Sequence, residues 1–300
     1  MLRIAGLMVF LGAVAGCMPR TVQIEAPPGV SAGEAPAEMD WSDWGLTLSR
    51  VVVGDRVDFA ALVRDHQPLD RFLFRVSRLG PTTTPDHFPD RPSRLAYFIN
   101  CHNAVVLRGV VEVARQGRPP ARVPEDLETV LRFAVDGRWQ SAADLRRAAE
   151  SLAGNDWRVS LTLFGAGQSG PPLWPRVFLG EMLDAQLNNA TRSALQSPQV
   201  VRVEHGEEKR LVVWSGIFGI KDRLVRDYEE RLGARNATLF NVLLEWADEP
   251  QRRILNGAVG YSIVPMLADL TLNDVQPAPT QEKGLSAVLR SIRSITFLRP

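Results

Sequence analysis

Residues 95–113 are apolar on nearly every face that a helix would present, and Arg108 and Glu112 are the main interruptions. A helix of this kind is stable only when other elements surround it. The two charges leave no run of about 18 uninterrupted apolar residues, the length that a membrane span needs. The segment therefore predicts a central buried helix on which the rest of a domain packs.

The remaining patterns predict an α+β fold, a helix-rich single domain with a small antiparallel sheet, over residues 41–275. Ser141 followed by Asp144 is typical of a helix N-terminus, and residues 177–195 have the spacing of an amphipathic helix. Apolar and polar residues alternate over 157–164, which predicts a strand. Residues 199–204 and 209–214 flank a polar turn and predict a hairpin.

The composition excludes some classes of protein. Hydrophobic residues make up 45% of the 300 residues and charged residues 23%, so the chain can build a sizeable core. The formal net charge is +1, which gives no global field that would draw the protein to a polyanion. We expect no nucleic-acid partner.

The first 17 residues have the layout of a bacterial export signal. Arg3 precedes an apolar run that ends at Ala15, and small residues lead directly to Cys17. The sequence V-A-G-C at 14–17 resembles the lipobox of bacterial lipoproteins, in which the cysteine is lipidated and becomes the first residue after cleavage. The alternative is an ordinary signal peptide that contains a cysteine. We predict a signal peptide at 1–16, lipidation of Cys17, and a flexible tether rich in proline and glycine at 17–40.

Lipidation of Cys17 implies a membrane partner and a location in the cell envelope, facing the periplasm. Met18 after the cysteine favours sorting to the outer membrane, by the rule known for enteric lipoproteins. Residues 276–300 are expected to form a linker and an amphipathic, basic helix. That helix could lie on a membrane or dock on its own domain.

Cys101 and His102 are the candidates for catalysis. Acylation of Cys17 would leave Cys101 without a disulfide partner in the chain. A cysteine nucleophile needs a base within hydrogen-bond reach, and neighbouring helical residues point about 100° apart. The base would then have to be His66, His87 or His205. The alternative is a buried structural cysteine, and His102 and Asn103 could likewise either brace loops or face a ligand.

Other motifs give weak signals, and we expect no cofactor and no metal site. Residues 165–170 spell G-x-G-x-x-G, but Pro171 and Pro172 follow where a dinucleotide fold needs the free amides of a helix N-terminus. Ser169 lacks the surroundings of a serine nucleophile. The four histidines are scattered without the spacing of metal ligands.

Several segments, in order, resemble the bacterial and plant family known as domain of unknown function 547. Six elements of that family each have a similar segment here. V-D-F at 57–59 is similar to its V-D-Y, A-Y-F-I-N-C-H-N-A at 96–104 to its A-F-W-I-N-x-Y-N-A, and D-W-R-V-S at 156–160 to its D-P-R-I-H. G-P-P-L at 170–173 is similar to its C-P-P-L, W-S-G-I-F at 214–218 to its L-S-x-I-F, and D-L-T-L-N at 269–273 to its D-W-S-L-N. Leu187 fits the helix that follows C-P-P-L. The resemblance covers about residues 49–274 as one domain.

The departures from that family bear on chemistry. The family carries a histidine at the position of Ser160, cysteines at those of Gly165 and Gly170, and a tyrosine at that of His102. Losing a base and two thiols together implies that this chain does not use a site formed by them.

The leading hypothesis is a non-catalytic envelope protein that binds a partner or ligand in a groove. That groove would be formed by Asn100, Asn103, Ser160, Ser169 and the 165–173 loop. The competing hypotheses are a thiol-dependent hydrolase or transferase with Cys101 as nucleophile, and a purely structural scaffold.

Overall fold

A computed structural model describes residues 18–26 and 39–275 of this chain. The predicted signal peptide at 1–16, the lipidation candidate Cys17 and the predicted C-terminal helix lie outside the described residues.

Helices supply most of the regular structure in those two ranges. In chain order they are α1 (Ser42–Val51), α2 (Phe59–Arg64), α3 (Gln67–Val76), α4 (Arg91–Val113), α5 (Leu127–Val130), α6 (Ala142–Ala153), α7 (Leu183–Gln196), α8 (Ser215–Phe218), α9 (Lys221–Leu232), α10 (Leu239–Trp246) and α11 (Glu249–Asn256). Short 3-10 helices lie at Pro85–His87, Trp157–Thr162 and Gly180–Met182. The strands are β1 (Arg20–Val22), β2 (Val52–Val53), β3 (Arg56–Val57), β4 (Leu131–Val135), β5 (Arg138–Gln140), β6 (Val201–Glu204), β7 (Arg210–Val213) and β8 (Ser262–Pro265).

The central buried helix predicted from the sequence is α4. Asp90 caps it by accepting a hydrogen bond from the Ser93 N–H at 2.8 Å, and Pro92 lies in its first turn. At 1.5 Å per residue its 23 residues span about 34 Å. The helix packs against α3 and α6, and its two sides contribute to separate apolar clusters. The prediction is confirmed, and α4 positions most of the polar residues that the sequence singles out.

The first sheet has the strand order β1–β4–β5, and its first strand corrects the predicted tether. Arg20 and Val22 pair in parallel with Leu131 and Phe133, and the Val22 side chain is buried in the same apolar cluster as one side of α4. Residues 20–22 are therefore part of the folded domain. The short apolar stretch at Val22 and Ile24 adds to a core whose partners lie far away in sequence, so local composition alone misses it.

The second sheet has the order β6–β7–β8. The predicted hairpin is confirmed, since β6 and β7 pair antiparallel around the turn at 205–209. Strand β8 adds in parallel to β7. Val201, Leu211 and Val213 face the apolar cluster beneath the sheet, while Arg202 and Arg210 lie on the opposite face. The α+β prediction is confirmed, but both three-stranded sheets contain a parallel pair that the prediction of an antiparallel sheet omits.

The predicted strand at 157–164 is wrong: residues Trp157–Thr162 form a 3-10 helix. The Ser160 and Thr162 hydroxyls each donate to the main-chain carbonyl three residues earlier, at 2.7 Å. The apolar alternation is real, because Val159 and Leu163 enter one apolar cluster and Leu161 enters another. A segment that lies between two apolar clusters thus shows the alternation of apolar and polar residues that usually indicates a strand.

The helix predicted over 177–195 begins at Leu183, after an irregular segment. Asn100 and Gln186 hold that segment by hydrogen bonds to the main chain of residues 177–179. Within the described residues, the structure contains no helix that is long and apolar enough to cross a membrane.

Candidate functional site

Asn100 is a structural brace rather than a groove residue. Its side-chain oxygen accepts hydrogen bonds from the Trp44 indole N–H at 3.0 Å and from the Phe178 N–H at 3.1 Å. Its amide donates to the Phe178 carbonyl at 2.8 Å. The residue is 1% exposed. All of these contacts tie α1 and the 177–182 segment to α4, which leaves Asn100 no polar atom to offer a ligand.

Asn103 and His102 brace α4 in the same way. The Asn103 amide donates to the Thr162 carbonyl at 2.9 Å, and its oxygen accepts from the Phe164 N–H at 3.0 Å. The His102 ring nitrogens lie 3.0 Å from the Ala142 carbonyl oxygen and 3.2 Å from that of Phe164. Burial lowers the pKa of His102 to about 4, so the ring is neutral at pH 7. These contacts favour the loop-bracing interpretation over the ligand-facing one.

The surroundings of Cys101 oppose a role as nucleophile. Its thiol is fully buried, and the nearby Tyr97 hydroxyl donates to the Val76 and Leu79 carbonyls. Burial raises the pKa of Cys101, and the Asp136 carboxylate nearby raises it further, although the Tyr97 contact acts the other way. The neutral His102 ring carries a single N–H, and both of its nitrogens face main-chain carbonyl oxygens rather than the Cys101 thiol. The Cys101 thiol is therefore not accessible to solvent and has no base within hydrogen-bond reach among the described residues.

The two serines differ in their surroundings. Ser160 donates to the Trp157 carbonyl and serves its own 3-10 helix. Ser169 accepts from the Asp269 N–H at 2.8 Å and lies on the wall of an open cleft. No histidine contacts Ser169 in the described part of the chain. Ser169 is the one predicted binding residue that the structure places in such a cleft.

The glycine-rich loop is built for backbone packing. A Cβ on Gly167 would lie 2.8 Å from the Asp269 carbonyl oxygen, and Gly170 has a φ of +128°, which favours glycine. The next helix, α7, begins only at Leu183. The G-x-G-x-x-G spacing therefore reflects the close approach of two chain segments, and no helix N-terminus faces the loop.

The cleft has a volume of about 530 Å³ and lies over the outer face of the second sheet. Val212 and Val264 belong to its floor, and residues 168–169, 198–199 and 265–269 form its walls. Sequence reasoning missed this site. Its residues come from β3, the sheet and three loops that are far apart in sequence, and no local motif marks their convergence.

Three charged groups of the cleft are paired with one another. The Glu204 carboxylate receives hydrogen bonds from the guanidinium groups of Arg202 and Arg210 at 2.8–3.1 Å. These bonds lower the pKa of Glu204. The pattern holds three side chains in a fixed row across β6 and β7 and keeps this end of the cleft locally ordered.

Arg56 and Gln199 are two incompletely paired groups of the cleft. Arg56 donates to the Asp274 main-chain carbonyl at 3.0 Å and forms no ion pair within the described residues. The Gln199 amide donates to the Asn273 side-chain oxygen at 2.9 Å and to the Asp55 carbonyl at 3.2 Å. Its side-chain oxygen is buried and has no hydrogen-bond partner in the described chain. Buried polar atoms are normally paired, so these two groups make the cleft the best candidate site.

Two of the segments that carry the family resemblance meet beside this cleft. The Val57 N–H donates to the Asn273 carbonyl at 3.0 Å, which joins the first and last of them. Asn273 is fully buried and contacts both Asp55 and Gln199. It thus holds β3, and with it Arg56, against the cleft wall.

The described residues form a helix-rich α+β domain with a polar cleft on the outer face of a small sheet, and this cleft is the candidate binding site. Among the described residues, no group of three or more His, Cys, Asp or Glu side chains is placed to hold a metal ion. No family model, curated protein or solved structure matches this chain.

Proposed function

We propose that the chain is a membrane-anchored bacterial envelope lipoprotein, and that its domain binds a partner in the sheet cleft without catalysing a reaction. Lipid on Cys17 would hold it in the envelope, facing the periplasm, and Met18 favours the outer membrane. The resemblance to domain of unknown function 547 supports one domain over residues 49–274, and membership of that family is itself part of the proposal.

The observation that carries the binding role is the pair formed by Arg56 and Gln199. Among residues 18–26 and 39–275, the Arg56 guanidinium has no carboxylate partner and the buried Gln199 amide oxygen has no donor, and both residues line the same cleft. Guanidinium groups bind carboxylates in a bidentate manner, and an amide oxygen accepts an N–H. With Val212 and Val264 on the floor, these groups suit a peptide segment of an envelope protein. Such a segment would present a carboxylate to Arg56 and an N–H to Gln199.

The buried thiol supports the non-catalytic part of the proposal. Cys101 lacks solvent access and a base, and the polar groups of α4 are engaged in bracing the fold. No observation favours the thiol-dependent hydrolase or transferase. A hydrolytic or transfer activity of the purified chain that disappears in Cys101→Ala would overturn the non-catalytic role.

The partner is tested by photo-cross-linking of the full-length chain in its native membrane. Leu267 is 87% exposed on the cleft wall, and a photoreactive residue at this position is expected to capture a protein. Arg56→Gln keeps a donor for the Asp274 carbonyl but loses the charge. It should lower the yield by about tenfold or more, as expected when a charged hydrogen bond is lost.

Two controls make this result specific. Arg64→Gln removes an exposed arginine that has no ion pair in the described chain and lies outside the cleft, and it should leave the yield unchanged. The same photoreactive residue at Val259, which is 67% exposed and also outside the cleft, should capture little. An adduct at 267 that is unaffected by Arg56→Gln contradicts the proposed site.

The anchor is tested by fractionation of cells. Cys17→Ala should move the protein from the membrane to the soluble fraction once its signal peptide is cleaved, because the variant lacks the predicted covalent lipid and no described helix can span a bilayer. A Cys17→Ala protein that has lost its signal peptide and still stays in the membrane fraction contradicts the lipid anchor.

A further inference from the structure

Strand β1 begins three residues after the lipidation candidate. Met18 and Pro19 separate Cys17 from Arg20, and three extended residues reach about 10 Å. The strand itself is fixed by its pairing with β4 and by the burial of Val22. The domain would then be held against the membrane on a short connection, with the start of β1 facing it. This step rests on the proposed lipidation of Cys17.

The start of β1 lies beside the C-terminal end of α4. The Arg20 guanidinium forms an ion pair with Glu112, in the last turn of that helix. Helix α4 ends at Val113, and a tight turn follows in which Arg115 and Arg118 exchange two main-chain hydrogen bonds of 3.0 and 3.1 Å. Gln116 and Gly117 have positive φ angles of 53° and 70°, which close this turn.

The turn carries a surplus of positive charge. We call residues 115–122 the arginine turn. Its cations, Arg115, Arg118 and Arg122, are exposed, and within the described part of the chain none has a side-chain hydrogen bond or ion pair. Glu112 is already paired with Arg20 and Arg108. The nearest further acid along the chain is the exposed Glu125, which leaves the cations in excess.

We propose that the arginine turn contacts the anionic phospholipid headgroups of the membrane in which Cys17 is anchored. Guanidinium groups bind phosphate in a bidentate manner, and Pro119 and Pro120 restrict the backbone between Arg118 and Arg122. Each arginine near an anionic bilayer strengthens binding about fivefold. A basic surface next to a lipid anchor adds electrostatic attraction for anionic lipids to the hydrophobic attachment. Because the net charge of the whole chain is only +1, the attraction to anionic lipids comes from the arginine turn rather than from the overall charge.

The test uses the lipidated chain in phosphatidylcholine vesicles, with or without phosphatidylglycerol. Ala121 is exposed between the arginines, so Ala121→Cys can carry a polarity-sensitive fluorophore. Cys101 is buried and will not react in the folded protein. We expect a blue shift of the emission in the anionic vesicles alone, and its loss at high salt.

Charge variants identify the surface responsible. Replacing Arg115, Arg118 and Arg122 by glutamine should lower the ratio of docked to undocked protein on the order of 100-fold. A matched control replaces Arg226, Arg235 and Arg252, which are also exposed and have no ion pair among the described residues. That control should keep the shift. A second probe, on Glu207→Cys in the turn between β6 and β7, should show none.

Three results would overturn the proposal: equal emission in neutral and anionic vesicles, equal effects of the two triple variants, or an equal shift at position 207. The mass of the purified protein reports separately whether Cys17 carries lipid. A missing shift in a lipidated chain therefore counts against the arginine turn, and a chain without lipid counts against the proposed function.

Discussion

The Trp44 indole N–H donates to the side-chain oxygen of Asn100 at 3.0 Å, and both residues are about 1% exposed. Trp44 lies on α1 and Asn100 at the middle of α4, so one buried hydrogen bond fixes the first helix of the domain to its central helix. The same oxygen also accepts from the Phe178 N–H, and three segments therefore depend on one amide.

Asn100→Ala should lower the free energy of unfolding by about 2–5 kcal/mol, because it leaves two buried donors without an acceptor. Urea denaturation followed by tryptophan fluorescence measures this change. Asn155→Ala, at an exposed position, should change it by less than about 0.5 kcal/mol. Equal stabilities of the two variants would show that the Asn100 contacts are not coupled to folding.

The lowered pKa of His102 predicts how the stability of the fold depends on pH. Its pKa is about 4 in the folded protein and 6.5 in the unfolded chain, so the unfolded chain binds a proton that the folded protein does not bind between these values. Stability from this group is fully present above pH 6.5 and is lost as the pH falls to 4. The loss amounts to about 3 kcal/mol.

Denaturation at a series of pH values tests the His102 contribution. His102→Gln should flatten the change in stability between pH 6.5 and 4. His205→Gln, at an exposed turn, should retain it. The same pH dependence in His102→Gln as in the parent protein would assign the effect to other groups.

Cys101 should resist alkylation until the protein unfolds, because its thiol is fully buried and its pKa is raised. Mass spectrometry after treatment with iodoacetamide should find no modification in buffer and one in denaturant. Since acylated Cys17 has no free thiol, two modifications in denaturant would mean that Cys17 is unmodified. Rapid modification in buffer would reopen the nucleophile hypothesis.

Val22→Ala should cost about 1–2 kcal/mol of stability, since the side chain is 6% exposed in the main apolar cluster. Thr21→Ala changes the exposed neighbour in the same strand and serves as the control. Thermal denaturation distinguishes them. No difference between the two variants would mean that β1 contributes little to the folded domain.

The parts of the fold that follow local patterns are predictable from the sequence. The apolar run of α4, the Ser141 cap and the turn between β6 and β7 each carry their signal within a few residues. The 3-10 helix at Trp157–Thr162 misleads because its apolar residues enter two clusters in turn. Period-two patterning then arises without a strand.

The cleft could not be predicted from the sequence. Arg56 and Gln199 are 143 positions apart, and what distinguishes them in the described chain is a guanidinium without an ion pair and an amide oxygen without a donor, which no sequence pattern records. Asn100 and Asn103 drew attention as polar residues in an apolar helix. Polar side chains in a buried apolar helix must form hydrogen bonds within the fold, and these bonds leave Asn100 and Asn103 no free polar atom to bind a ligand.

The parallel pairing of β1 with β4 fixes an order of events during synthesis. Arg20 leaves the ribosome early, whereas its neighbour in the sheet, Leu131, follows more than one hundred residues later. Until then the strand that β1 pairs with has not been made. The first sheet is therefore completed only after the middle of the chain has been synthesised, although its edge strand is among the earliest segments made.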